Sequence, residues 1–191
     1  MPETPAASEF EALLAPILDK AYGVAYRLTR NADDAQDLVQ ETAIQAYVAF
    51  NSFTPGTNFK AWFLRILVNR FLNRKRSADR RPQTVPIDDA EDLYLYQHAK
   101  QNGLVASGGD PAATVMSKFD AETVAMALAE LPEEFRVVAT LYLVEDLSYE
   151  EIAAIVNCPI GTVRSRLHRA RKALQKALWD YAYERGIVGK K

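Results

Sequence analysis

SYEEIAAIVNCPIGTVRSRLHRARKALQK, residues 148–176, is the stretch whose reading decides the fold. Ser148-Tyr149-Glu150-Glu151 has the form of a capping box. The Ser148 hydroxyl accepts from the amide of Glu151, while the Glu151 carboxylate accepts from the amide of Ser148. Ile152, Ala153, Ile155 and Val156 then line one face of a short helix. Asn157-Cys158 makes a tight turn, and Pro159 suits the first position of a second helix. Two helices joined this closely form a helix-turn-helix. At about 100° per residue, Val163, Leu167, Ala170, Leu174 and Leu178 of the second helix fall in one stripe, which predicts its buried side. Ser165, His168, Arg169 and Lys172 fall opposite, with Arg164, Arg166 and Arg171 on the flanks. Such a face suits a duplex groove, with short polar groups and an arginine toward base edges and cations toward phosphates. Arg169 is the natural bidentate partner of a guanine edge, beside Ser165 and His168.

Charge along the chain supports that reading better than the total does. The formal net charge is −2, yet residues 60–81 hold eight bases and one acid, and residues 159–176 hold six bases and no acid. Between them, residues 83–150 hold thirteen acids and three bases. Cationic islands of this density neutralise phosphates and release counterions. The single cysteine, Cys158, excludes an intramolecular disulfide. With only His98 and His168 beside it, a zinc site cannot be assembled either, and no cofactor is expected. No apolar run approaches membrane-spanning length, and MPETPAASEFE at the N-terminus is unlike a secretory signal, so a cytoplasmic address is expected.

Outward from the helix-turn-helix, period-3.6 patterns predict helices over residues 10–28, from about 33 to 50, 59–76, 116–131, 133–144, 148–156 and 159–184. The segment NSFTPGTN (Asn51 to Asn58) collects turn formers and reads as a loop. The run from 82 to 114 is rich in proline, glycine and acid, and reads as a linker with at most a short helix near Leu93 to Lys100. No stretch alternates with period two. The expected fold is all-α, with two small helical domains over 9–81 and 115–186 joined by a flexible acidic linker over 82–114. The helix over 59–76 is apolar almost all round, save a polar stripe of Arg65, Asn69 and Asn73 one turn after Trp62. An aromatic ring, amides and an arginine in line suit unpaired bases; a core Trp62 with solvated amides fits the same pattern.

DAQDLVQETAIQAY (34–47), GTNFKAWFLRILVNRFLNRKR (56–76), LPEEFR (131–136), LSYEEIA (147–153) and PIGTVRSRLHRARKAL (159–174) together resemble the extracytoplasmic-function (ECF, group 4) sigma factors of the sigma-70 family. The wording is most similar to actinobacterial oxidative-stress members. The resemblance implies a non-enzymatic promoter-specificity subunit of RNA polymerase with two DNA-reading modules. Asp34, Asp37, Gln40 and Glu41 match the segment that docks on the polymerase β′ coiled coil, and the C-terminal domain matches the one that meets the β flap. Asn69, Trp62, Arg65, Asn73, Phe53 and Asn58 fall where the −10 element is recognised, and Arg70, Arg74, Lys75 and Arg76 beside its phosphates. Ser165, His168 and Arg169 match base-contacting positions of the −35 reader; Arg164, Arg166, Arg171 and Lys172 fall on its phosphate-facing flanks. The family often carries a larger aromatic where His168 stands. A stress-response role is implied, as is control by an anti-sigma factor, of a zinc-containing, redox-sensitive type in the sub-family.

Two other classes remain open from the residues alone. A free-standing helix-turn-helix regulator would bind promoter DNA without polymerase and would not need two cationic islands. An enzyme acting on nucleic acid would need a histidine–carboxylate cluster or a phosphate-cradling glycine loop, and the sequence offers neither.

Overall fold

A computed structural model describes residues 5–78 and 121–184. The expected linker over 82–114, with its short helix near Leu93 to Lys100, lies outside the described residues. Among the described residues every regular element is helical: α1 (Pro5–Leu14), α2 (Leu18–Thr29), α3 (Ala32–Val48), α4 (Phe59–Ala78), α5 (Ala121–Glu130), α6 (Glu133–Ala139), α7 (Tyr149–Val156) and α8 (Ile160–Glu184).

The expected helix over 10–28 is in fact two. A 3-10 turn, Ala15–Ile17, separates α1 from α2 and carries Pro16, whose missing N–H and bulky ring cannot continue an α-helical ladder. The apolar period survives the break, because Phe10, Ala21, Val24, Ala25 and Leu28 are all buried. α2 ends at Arg30 in the left-handed region (φ 61°). Asn31 then caps α3, its side-chain oxygen accepting from the amides of Asp33 (2.9 Å) and Asp34 (3.1 Å). Both acids lie in the first turn of α3, at the positive end of its dipole.

The helix expected over 133–144 also divides. α6 stops at Ala139 and the chain widens into a π-helical turn, Thr140–Val144, closed by Glu145 N donating to Thr140 O at 3.3 Å. Such turns are rare and tend to mark functional positions. This one delivers Glu145 and Leu147 toward α4.

The cores follow from these faces. α5, α6 and α8 enclose Leu128, Leu131, Phe135, Ala170, Leu174 and Leu178. A second apolar cluster runs from Phe10 through Phe71 in α1–α4 and continues into Val137, Val138, Leu141, Leu147, Ile152, Ile155, Val163 and Leu167. One of these two clusters therefore spans both expected domains, and the other lies within the C-terminal one. α4 lies between α2 and α3 on one side and α7 on the other. That placement accounts for a helix apolar almost all round: Phe63, Leu64, Leu67 and Val68 are 0–1% exposed. Each buried side chain of this size contributes about 1.5–3 kcal/mol.

Candidate nucleic-acid interface

The capping box forms as the sequence predicts. Ser148 N donates to Glu151 Oε2 at 2.9 Å, and Glu151 N donates to Ser148 Oγ at 3.2 Å. Asn157 ends α7 in the left-handed region (φ 51°), a conformation that asparagine tolerates at a helix C-terminus. Cys158 N then donates to Ala153 O at 3.2 Å, and Pro159 O accepts from Thr162 and Val163 to start α8. Val163, Leu167, Ala170, Leu174 and Leu178 are 0–2% exposed. With that stripe seated, Ser165, His168 and Arg169 face solvent together.

The flanking cations of α8 are anchored by neighbours. Arg164 lies over the Tyr149 ring at 5.9 Å and Arg171 over the Tyr142 ring at 5.2 Å, distances at which a cation is drawn to a ring face. Arg166 pairs with Glu134 at 3.1 Å. Lys172 is half-buried. These contacts hold the guanidinium groups on either side of the exposed face and tie α8 to α6 and α7.

In the N-terminal half, Thr54-Pro55-Gly56-Thr57 is a tight turn with Thr57 N donating to Thr54 O at 3.2 Å. Gly56 stands at φ 85°, and proline before a positive-φ glycine is the type II pattern. Phe53 turns inward, 9% exposed, with its ring 5.2 Å from Phe59 and 5.4 Å from Trp62. Asn58 caps α4, its Oδ1 accepting from Ala61 N at 3.1 Å. Between α3 and α4 runs an open groove of about 640 Å³, lined by Gln45, Ala49, Ser52, Trp62, Arg65, Ile66, Asn69, Arg70, Asn73 and Arg74. The predicted −10 residues Trp62, Arg65, Asn69 and Asn73 thus share one surface with Arg70 and Arg74. Phe53 and Asn58 do not line it. The side chains of Lys75 and Arg76 lie outside the described ones.

The acidic face of α3 borders the same groove. Asp34, Asp37 and Gln40 are exposed, and Glu41 is half-buried. Glu41 Oε2 accepts from Arg70 Nε at 2.7 Å and is ion-paired with Arg74, while Gln45 Oε1 accepts from Arg70 Nη1 at 2.9 Å. These hydrogen bonds, Arg70 first and Arg74 second, hold the Glu41 carboxyl below its usual range. One turn and two turns beyond Gln40, Ile44 and Val48 are 66% and 77% exposed. The periodic reading assigned them only to helix continuity; their i, i+4 spacing from Gln40 was the available signal that they extend the same face.

Polar contacts between described residues join the two halves. Asn58 Nδ2 donates to Glu151 Oε1 at 2.8 Å. Lys60 Nζ donates to Glu145 O at 2.8 Å and lies 3.5 Å from the Glu145 carboxylate. Arg30 Nη2 donates to Leu131 O at 3.3 Å, a carbonyl that also accepts from Arg136. Arg136 is buried, and desolvation brings its pKa down to about 10. Sequence reasoning had singled out neither Lys60 nor Glu145, which lie 85 residues apart. Among the described residues, no cluster of His, Cys, Asp or Glu could hold a metal ion, and no helix is long and apolar enough to cross a membrane.

Comparison with known proteins places both halves. Residues 13–81 match the family description of sigma-70 region 2, and residues 121–174 match that of sigma-70 region 4. The chain is 35% identical over 165 residues to the ECF RNA polymerase sigma factor SigW of Bacillus subtilis, covering 85% of this chain and 84% of that protein. It is 37% identical over 171 residues to the RNA polymerase sigma-H factor of Pseudomonas aeruginosa, covering 88% and 86%. Among solved structures, it is similar to the sigma factor RpoE in complex with the anti-sigma factor NepR from Bartonella quintana, with a TM-score of 0.64, 30% identity and coverage of 90% and 97%. A solvent-exposed polar helix face above a buried stripe, a polar groove beside an acidic helix, and matches spanning both halves have one common account: the chain belongs to the sigma-70 family, in its extracytoplasmic-function group.

Proposed function

We propose that this protein directs core RNA polymerase to promoters by reading two elements with two modules, residues 9–81 and 115–186. The C-terminal module reads the −35 element as duplex through Ser165, His168 and Arg169, with Arg164, Arg166, Arg171 and Lys172 toward phosphates. The N-terminal module reads the −10 element after melting. Trp62 offers a stacking face, Asn69 and Asn73 offer amide edges, and Arg65, Arg70 and Arg74 supply positive charge along the strand. The acidic and apolar face of α3, from Asp34 through Gln40 to Val48, is the surface for the polymerase β′ coiled coil, and the C-terminal module meets the β flap. An anti-sigma factor restrains the protein, a reading supported by the similar sigma factor RpoE being in complex with the anti-sigma factor NepR. A thiol switch in this system belongs to that partner, because Cys158 is the chain's single cysteine. Working on polymerase places the protein in the cytoplasm, and its role there is recognition rather than catalysis.

The observation that carries this reading is the outward face of α8, where Ser165, His168 and Arg169 are exposed directly opposite a stripe 0–2% exposed. A run-off transcription assay tests it. Core polymerase with this protein initiates at a cognate promoter, and core alone does not. Tight binding to promoter DNA by the protein alone, with no product from the combination, refutes the reading in favour of a free-standing regulator.

A further inference from the structure

The two flanks of the reading helix α8 hold their arginines by different means. At about 100° per residue, Arg164 and Arg171 fall within about 20° of each other on one flank, and Arg166 falls on the other. Arg164 and Arg171 stand two turns apart, about 10.5 Å along the helix axis, so each can meet a phosphate of its own. Arg164 lies over the Tyr149 ring and Arg171 over the Tyr142 ring. The two rings stack on each other in turn, their centroids 5.1 Å apart and their planes inclined by 19°. Arg166 instead pairs with the Glu134 carboxylate at 3.1 Å.

A ring face and a carboxylate leave an arginine in different electrical states. A ring carries no net charge, so it fixes a guanidinium without neutralising it. A carboxylate cancels the charge, and a phosphate gains Arg166 only where Glu134 gives it up. The rings are themselves held from behind. Tyr142 lies in the widened turn Thr140–Val144 and Tyr149 opens α7. Both pack against the apolar cluster that contains Ile152, Val163 and Leu167. A long arginine side chain loses rotamer freedom when it grips a partner, and one already fixed against a buttressed ring has less to lose.

We propose that Tyr142 and Tyr149 are positioning residues for −35 recognition, their stack fixing Arg164 and Arg171 in advance for the phosphates of one DNA strand. The proposal rests on the two-module reading above. The two walls of a major groove are the backbones of opposite strands, so the grip is lopsided. It is strong on the strand beside the tyrosines and weak on the strand beside α6, where Glu134 offsets Arg166. Base choice stays with Ser165, His168 and Arg169; the rings set how tightly the helix holds whichever sequence it meets.

The test uses holoenzyme, core polymerase with the full chain, and measures its binding to the run-off promoter fragment across a salt series. Arg164→Ala is expected to make the slope of log K against log salt shallower by about 0.9, and Arg166→Ala to change it clearly less. Tyr142→Leu with Tyr149→Leu weakens binding by about fivefold at every −35 sequence. Tyr142→Phe with Tyr149→Phe, which keeps both ring faces, recovers the affinity that the leucine pair loses. Undiminished binding by the leucine pair overturns the proposal, as does equal weakening by the leucine and phenylalanine pairs. So does a leucine defect confined to one −35 base pair, or an Arg166→Ala slope change equal to that of Arg164→Ala. Thermal melts accompany every variant; should the leucine pair fail to fold, the phenylalanine pair and the two arginine slopes decide. Absence of run-off from wild-type holoenzyme refutes the promoter reading instead, whatever the variants do.

Discussion

Glu41 of α3 and Arg70 of α4, 29 residues apart, meet at 2.7 Å across the edge of the groove, and Arg74 engages the same carboxylate oxygen. Glu41 thus belongs to two surfaces. It sits on the acidic face proposed for polymerase docking, and it neutralises two cations proposed for −10 phosphates. Replacing it with glutamine removes the charge that neutralises both arginines, while Gln45 still accepts from Arg70. Glu41→Gln is expected to raise the affinity of the free protein for a single-stranded −10 oligonucleotide by about two- to fivefold. The salt dependence should steepen as more phosphates are neutralised. Fluorescence anisotropy across a salt series measures both, and an unchanged affinity with an unchanged slope rejects the role.

Acid should loosen the helix-turn-helix through Glu151. Its carboxyl is held below 4.5 chiefly by the Ser148 amide, with help from Asn58. A carboxyl depressed in the folded state adds stability that is present above its unfolded value and is lost as pH falls through its folded value. The wild-type melting temperature should therefore fall below about pH 4.5, and fall less steeply in Glu151→Gln, which is less stable at neutral pH. Parallel pH profiles for the two proteins would exclude Glu151 as a contributor.

Arg136 caps the end of α5 from inside, donating to Ala129 O at 3.3 Å and Leu131 O at 3.4 Å while 5% exposed. Arg136→Ala removes both donors and leaves a void, at a cost of about 2–3 kcal/mol. Arg136→Met fills the space and sheds a charge whose burial is unfavourable, so it should lose less. Urea unfolding of the two variants gives the comparison, and equal losses would mean that volume is irrelevant there.

Arg169→Ala should cost about 1–3 kcal/mol at one −35 base pair and relax the preference there. A panel of single-base −35 variants, assayed by run-off at fixed salt, resolves this. Equal weakening across all sequences would make Arg169 a phosphate contact.

At the turn of the helix-turn-helix, Asn157 holds φ 51°. Asn157→Ala should destabilise by about 1 kcal/mol, because a Cβ without a local hydrogen-bonding partner disfavours the left-handed region, whereas Asn157→Gly should be close to neutral. Thermal melts separate the two. A stable alanine variant would show that the turn can relax.

What the sequence determined by itself lies within a few residues along the chain. The Ser148–Glu151 box, the Asn31 cap, the Pro55-Gly56 turn and the buried stripe of α8 depend on hydrogen bonds and periodicities that span one to three helical turns, so the residues that make them are neighbours in the string. The same local patterns misled where a single residue overrules a period: Pro16 broke the first helix although its apolar spacing continued. Tertiary structure alone decided the rest. The apolarity of α4 on nearly every side was visible in the sequence, but its cause, packing against α2 and α3 and then against α7, depends on an element more than seventy residues away. Phe53, expected at the −10 surface, is instead drawn into the core, where Phe59 and Trp62 close around it. The pairs Glu41–Arg70, Lys60–Glu145 and Asn58–Glu151 have no local signature, because a charge on one helix carries no record of which distant charge the fold will bring to it.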